Sequence, residues 1–229
     1  MKKALTFVAL ILTPSITLAQ GTVVFQNLTG LVQRWTSPSD SSLTPVAVGG
    51  GYVQLIATPK GNPLLHPLGV YSGRSGFLPG YSSLATFLAA NPGWVDPYSD
   101  PYPNGSPSPQ VPTSIYGAAG VFNGGTMDTP VPGGAEADYL VIGWTGPYAS
   151  YDAAYAADLG NPNSSFLGMS AVATTGTGDP RSPGVPGPPV SLSHTFQGMI
   201  LAPAAIPEPT SVLLAGLGAV LLLLFRRRG

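Results

Sequence analysis

The sequence contains no cysteine and few charged residues. Its 229 residues include 9 lysines and arginines against 10 aspartates and glutamates, and charged residues make up 8% of the chain. Without cysteine there is no disulfide framework and no thiolate metal site, so a folded domain must be stabilised by packing alone. The sparse positive charge also excludes the basic surface that nucleic-acid-binding proteins need.

Signatures of nucleotide binding and of common hydrolases are missing as well. The Gly-Thr-Gly stretch 176–178 is followed by Pro180, which prevents the helix start that a phosphate-binding loop requires. There is no Gly-x-Ser-x-Gly elbow, and the two histidines, His66 and His194, belong to no triad motif. We therefore expect a protein that is not an enzyme, with no catalytic residue, cofactor, metal or nucleic-acid partner.

Glycine and proline, by contrast, are abundant. The chain has 30 glycines and 26 prolines, yet 44% of its residues are hydrophobic. A disordered chain shares the glycine and proline content but has too few hydrophobic residues to form a core. Many short strands joined by Gly/Pro turns satisfy both observations. This composition predicts a mainly β, β-sandwich-like single domain with one or two short helices.

The first 19 residues have the pattern of a secretory signal peptide. Lys2 and Lys3 form a basic start, an apolar run covers residues 4–12, and small residues lead to Ala19. We expect an N-terminal signal helix that engages the Sec export machinery and is cleaved after Ala19. The predicted domain limits are 1–19 for the signal, 20–203 for a β-rich ectodomain and 204–229 for a second signal at the C-terminal end.

The C-terminal segment is a short apolar run between two polar motifs. These motifs are Pro207, Glu208 and Pro209 before the run, and Arg226, Arg227 and Arg228 after it. The uncharged stretch 212–225 spans about 21 Å as a helix, against a hydrocarbon core of about 30 Å. We predict a short transmembrane helix over 211–225 with the arginines on the cytoplasmic side. An ordinary single-span anchor is the alternative.

This arrangement resembles the PEP-CTERM sorting signal of exported proteins in Gram-negative environmental bacteria. The same tail is also called the ice-binding protein C-terminal domain, a name that is no evidence of ice binding. In that family a membrane enzyme, exosortase, recognises and processes the tail, and the ectodomain passes to the cell surface or extracellular matrix. The resemblance therefore implies an exosortase-like partner and at least transient residence in the inner membrane. It covers the chain from Pro207 onward.

Local patterns predict the elements of the ectodomain. Alternating or apolar runs indicate strands over residues 22–26, 51–57, 114–122, 138–144, 172–175 and 193–201. Polar or Pro/Gly-rich stretches indicate connections, with a turn at 37–44 and loops at 94–112 and 176–189.

Two short helices are predicted between these strands. The first starts at Ser83, places Leu84, Phe87 and Leu88 on one face, and stops at Asn91 and Pro92. The second has Ser150 as its N-cap and ends at Gly160 in the C′ position. Its apolar face is predicted to consist of Tyr151, Tyr155 and Leu159.

A near repeat, Asp-Pro-Tyr-Ser-Asp-Pro-Tyr, covers residues 96–102. Acidic and aromatic side chains on proline-fixed turns are the parts that a carbohydrate- or Ca²⁺-binding loop needs. The candidate ligand residues are Trp94, Asp96, Tyr98, Asp100 and Tyr102. The alternative is a rigid surface loop whose aromatic residues fold back over the core.

Glu136 and Asp138 are two residues apart, so in a strand their side chains share a face. Such a pair suits Ca²⁺ binding or the acid and base of a glycosidase, but equally suits solvated charges at the start of a hydrophobic strand. We expect a non-enzymatic protein of the cell surface or extracellular matrix. The alternatives are a carbohydrate- or Ca-binding surface module and a polysaccharide-acting hydrolase, with extracellular polysaccharide as the partner.

Overall fold

The computed structural model describes residues 20–65, 70–71, 74–75, 83–99, 108–161, 164–180 and 187–203. Both predicted terminal signals, with their helices, lie outside these ranges. The described part is mainly β, with fifteen strands, two α-helices and one 3-10 helix. Within these ranges, no helix combines the length and the apolar character needed to cross a membrane.

Most strands are short. In chain order they are β1 (Gln20–Gln26), β2 (Val32–Ser37), β3 (Asp40–Pro45), β4 (Gly51–Pro59), β5 (Val70–Tyr71), β6 (Arg74–Ser75), β7 (Tyr98–Ser99), β8 (Ser108–Pro109), β9 (Thr113–Ser114), β10 (Asn123–Pro132), β11 (Glu136–Thr145), β12 (Phe166–Met169), β13 (Ala173–Gly176), β14 (Val190–Ser191) and β15 (Met199–Pro203). The helices are α1 (Leu84–Ala90), α2 (Tyr151–Gly160) and the 3-10 helix Leu192–His194.

These strands form two main sheets and one hairpin. The five-stranded sheet has the order β14-β1-β10-β7-β8. The eight-stranded sheet has the order β3-β2-β15-β12-β11-β4-β9, with β13 paired to β11 beyond β12. Strands β5 and β6 pair with each other. The first strand of the domain therefore lies inside one sheet, and its last strand lies inside the other.

The antiparallel pair of β4 and β11 is the centre of the eight-stranded sheet. Its register is unbroken from Ala137 opposite Pro59 to Thr145 opposite Gly51. One face of the pair packs against the five-stranded sheet in a shared core. Buried members of that core include Val53, Leu55, Tyr139 and Val141 from this pair, and Val23, Phe25 and Met127 from β1 and β10. Because burying both inner faces removes much apolar area from water, this layer is the main source of stability.

The opposite face of β4 and β11 carries a second core, under the two helices. Ile56, Leu140, Ile142 and Trp144 pack there against side chains from the helices and the segment before β7. Those side chains are Phe87 of α1, Tyr151 and Ala154 of α2, and Trp94. The central strands are therefore apolar on both faces, which explains their nearly continuous hydrophobic sequence.

Both helices begin where the sequence predicted. Ser83 caps α1 in a reciprocal capping box with Thr86, and the Ser150 hydroxyl accepts a hydrogen bond from the Ala153 amide of α2. The predicted apolar face of α2 is wrong at Leu159, which is 62% exposed. Gly160 is the last helical residue instead of the C′ residue, since Asn161 forms the cap.

The predicted strands at 22–26, 51–57, 138–144 and 172–175 correspond to β1, β4, β11 and β13, the last displaced by one residue. The strand predicted over 114–122 is wrong. The chain turns there, because Gly117 and Gly120 adopt positive φ angles of 83° and 74°. Ser114, at the end of β9, pairs with β4, and Ile115 forms an isolated bridge with Phe122 across the turn.

Three further connections differ from prediction. The strand predicted over 193–201 starts only at Met199, because 192–194 forms a 3-10 helix and Gly198 has a φ of 100°. The turn predicted at 37–44 is mostly strand β3, whose side chains are polar because they are largely exposed at the edge of the sheet. The loop predicted at 94–112 contains the short strands β7 and β8.

Candidate functional site

The proposed ligand loop is only partly described. Trp94 is 3% exposed and its indole N–H donates to the Pro63 carbonyl at 3.4 Å, so the expectation that it offers a flat face to a ligand is wrong. Tyr98 is 53% exposed. Asp100 and Tyr102 lie outside the described residues, so a ligand role for them stays a prediction.

Asp96 is half-buried and bound by two glutamine side chains. Its two carboxylate oxygens accept hydrogen bonds from Nε2 of Gln54 and Nε2 of Gln110, each at 3.0 Å. Burial raises the pKa of Asp96 above its ordinary value, and the hydrogen bond from Gln54 opposes this shift. The Asp96 carboxylate therefore holds its own segment of chain and Gln110 next to β4.

Gln110 acts as a substitute for a neighbouring strand. Its Oε1 accepts from the Leu55 amide at 2.7 Å, and its Nε2 donates to the Leu55 carbonyl at 3.1 Å. Strand β9 pairs with β4 on one side of this contact, and Val95 forms a bridge with Ala57 on the other. The outer edge of β4 is therefore covered along most of its length, which removes a site for unwanted strand pairing.

Glu136 and Asp138 are occupied by structural contacts. Glu136 forms an ion pair with Lys60, and both side chains are about half exposed. The hydrogen bond to Glu136 and the negative charges nearby raise the pKa of Lys60. Asp138 is buried and accepts hydrogen bonds from the Gly61 amide at 2.8 Å and from the Thr174 hydroxyl.

No other acidic or histidine cluster appears in the described part of the chain. There, no group of three or more histidine, aspartate or glutamate side chains is placed to bind a metal ion. His194 is exposed at the end of the 3-10 helix, not in a strand as the prediction for 193–201 implied. His66 lies outside the described residues.

One cleft of about 680 Å³ opens on the helix-bearing side of the eight-stranded sheet. Its apolar lining includes Leu140, Met169 and Ile200, and its polar lining includes Gln33, Ser170 and Gln197. These residues could not be identified from the sequence, because they come from several separate strands and turns and form no local motif.

The comparisons with known proteins concern the C-terminal segment. No curated protein and no solved structure matches the chain significantly. Residues 205–228 match the family model of the PEP-CTERM protein-sorting motif. The matched range includes both polar motifs and the apolar run between them. This chain therefore carries a PEP-CTERM protein-sorting motif in its C-terminal segment, as the sequence resemblance implied.

Proposed function

We propose that this chain is an exported protein of the cell surface or extracellular matrix, sorted when an exosortase-like membrane enzyme recognises its tail. The observation that carries the proposal is the match of residues 205–228 to the PEP-CTERM sorting motif. A motif of this kind supports export and membrane-linked sorting. The predicted signal peptide at 1–19 and transmembrane helix at 211–225 agree with such sorting, because together they would place residues 20–203 on the outer side of the inner membrane.

The ectodomain in this proposal is a β-sandwich-like domain without enzymatic activity. Two sheets that bury their facing sides in one core support the sandwich-like description. The non-enzymatic role is supported by the contacts of the acidic residues that were candidates for catalysis or ligand binding. Among those described, Asp96, Glu136 and Asp138 are bound by amide, ammonium or hydroxyl groups of the fold itself. Adhesion or matrix assembly fits such a surface better than hydrolysis.

The test follows the mass of the protein in its native host. The intact mass is measured in membrane, surface and extracellular fractions, and again in a derivative that lacks the exosortase. Processed protein without residues 1–19 and without the arginine motif is expected outside the membrane only when the exosortase is present. An intact tail confined to the membrane in both strains would identify a stable single-span anchor and overturn the proposal.

Two variants of the tail sharpen this test. Replacing Glu208 by glutamine removes the charge between the two prolines, and we expect slower processing because recognition depends on this motif. Replacing all three of Arg226, Arg227 and Arg228 by lysine keeps the positive charge that orients the helix. Export and orientation should therefore be retained in the lysine variant, which makes it the control for topology.

A further inference from the structure

The last strand of the domain is fixed in the interior of the larger sheet. Strand β15 pairs with β2 on one side, as far as Leu201 opposite Arg34, and with β12 on the other, as far as Pro203 opposite Phe166. Leu201 and Ala202 are fully buried. Peeling β15 away, to lengthen the chain between the domain and the sorting motif, would break ladder hydrogen bonds on both sides and expose these side chains.

Little chain separates this strand from the sorting motif. Pro207 is four residues beyond Pro203, so even an extended chain carries the motif only about 14 Å away. The domain itself is wider than this distance, since a compact chain of about 184 residues has a radius of gyration of about 16 Å and hence a diameter of about 40 Å. Any enzyme that binds Pro207, Glu208 and Pro209 must therefore contact the surface of the folded domain.

The surface that it meets is the end of the sheet at which β15 leaves. Strand β11 runs in the same direction as β15, because both are antiparallel to β12. The loop 146–150 after β11 therefore lies at this end, as does the turn 38–39 between β2 and β3. We call these two segments and Pro203 the exit end. The turn 60–61 after β4 lies at the opposite end, since β4 is antiparallel to β11.

The two segments of the exit end carry little charge, and the cation beside them is Arg34, whose guanidinium lies 5.2 Å from the ring centre of Phe166, opposite Pro203. Between 37 and 40 and between 146 and 150 the sequence contains one charged residue, Asp40. A cationic surface that would draw the domain to anionic lipid is thus lacking at these positions. Because the segment between Pro203 and Pro207 is short, the enzyme that binds the motif is brought against the exit end.

We propose that the exit end is the surface of the ectodomain that contacts the sorting enzyme, and that the short tether makes this contact limit the rate of tail processing. The inference rests on the proposed function, because it requires an exosortase-like enzyme to act on the motif. In physical terms, a short tether lets the motif reach the active site only in orientations that press the domain against the enzyme, and a longer tether removes this restriction.

A spacer series in the full-length chain tests this inference. Gly-Ser spacers of about 4, 8 and 16 residues are inserted after Pro203, and the longest adds roughly 22 Å of average reach. The half-time of processing is followed by pulse labelling in the native host. We expect it to shorten by about threefold or more with the longest spacer. The same spacer between Gly133 and Gly134, in the turn before β11 at the opposite end, should leave the half-time unchanged, because Gly134 is exposed there.

A bulky substitution at the exit end tests the contact itself. Ser39 is exposed in the β2–β3 turn, so Ser39→Tyr should slow processing of the unextended chain but not of the chain with the longest spacer. An unchanged or slower rate of processing with every spacer would overturn the proposed contact. In that case, exosortase-dependent processing of the parent chain would still support the proposed function. Absence of any exosortase-dependent processing, spacer or not, would overturn the proposed function instead.

Discussion

Replacing Gln110 by leucine should destabilise the fold strongly, although one uncharged side chain replaces another of similar volume. The Gln110 side chain is 8% exposed and pairs with both backbone groups of Leu55. Leucine would leave the buried Leu55 amide without its acceptor, at a cost of about 1–3 kcal/mol. Loss of the hydrogen bond to the half-buried carboxylate of Asp96 adds about 1 kcal/mol. The free energy of unfolding should therefore fall by about 2–4 kcal/mol.

Urea unfolding of the purified protein, followed by tryptophan fluorescence, measures this loss. With a slope of about 2–3 kcal/mol per M, the midpoint should fall by about 1–2 M. Gln197→Leu is the matched control, because Gln197 is exposed and surface changes cost at most about 0.5 kcal/mol. If the free energy of unfolding of Gln110→Leu lies within about 0.5 kcal/mol of that of the parent protein, the Gln110 side chain does not stabilise the β4 edge as a strand would.

Three further substitutions test separate contacts. Asp152→Ala should cost about 1–2 kcal/mol and speed amide exchange in α1, because the Asp152 carboxylate accepts from the Leu84 amide at 2.7 Å; Asp152→Asn keeps an acceptor and should cost less. Since burial raises the pKa of Asp96 in the folded state, the parent protein should gain stability relative to Asp96→Asn as the pH falls from about 7 to about 4, and a constant difference in urea midpoints would contradict this. Gly168→Ala should cost about 1–3 kcal/mol in the same urea unfolding assay, because the added Cβ would lie 2.2 Å from the Ile200 carbonyl oxygen. Gly176→Ala should be nearly neutral, because a Cβ there would meet no atom within 4 Å.

The elements that could be predicted are those whose signals are local. Ser83 and Ser150 mark helix starts because capping depends on neighbouring residues along the chain. The strand from Asp138 to Trp144 is apolar at nearly every position, since a sheet covers one face and helices cover the other. The sorting motif could also be predicted from the sequence, because all of its parts lie within residues 205–228.

What could not be predicted depends on contacts between distant segments. The polar strand β3 has no apolar face, so only its pairing with β2 defines it. Likewise Asp96 meets Gln54 and Gln110 only because the segments beside β4 converge on its edge. The repeat at 96–102 suggested a ligand loop, yet in the fold Asp96 binds the two glutamines and Trp94 enters the core. Composition alone cannot separate a ligand group from a group that fastens a loop.

The pairing of the first strands with the last has a consequence for the order of folding. Strand β1 pairs with β10 and with Val190–Ser191, and β2 pairs with residues 199–201 of β15. Neither sheet can be completed until almost the whole domain is available, and such long-range pairing is slow to form. If the chain is delivered from its N-terminus, as the proposed export would deliver it, neither sheet can be completed before residues 190–203 are available. The strand that completes the larger sheet, β15, is also the strand that ends directly before the sorting motif.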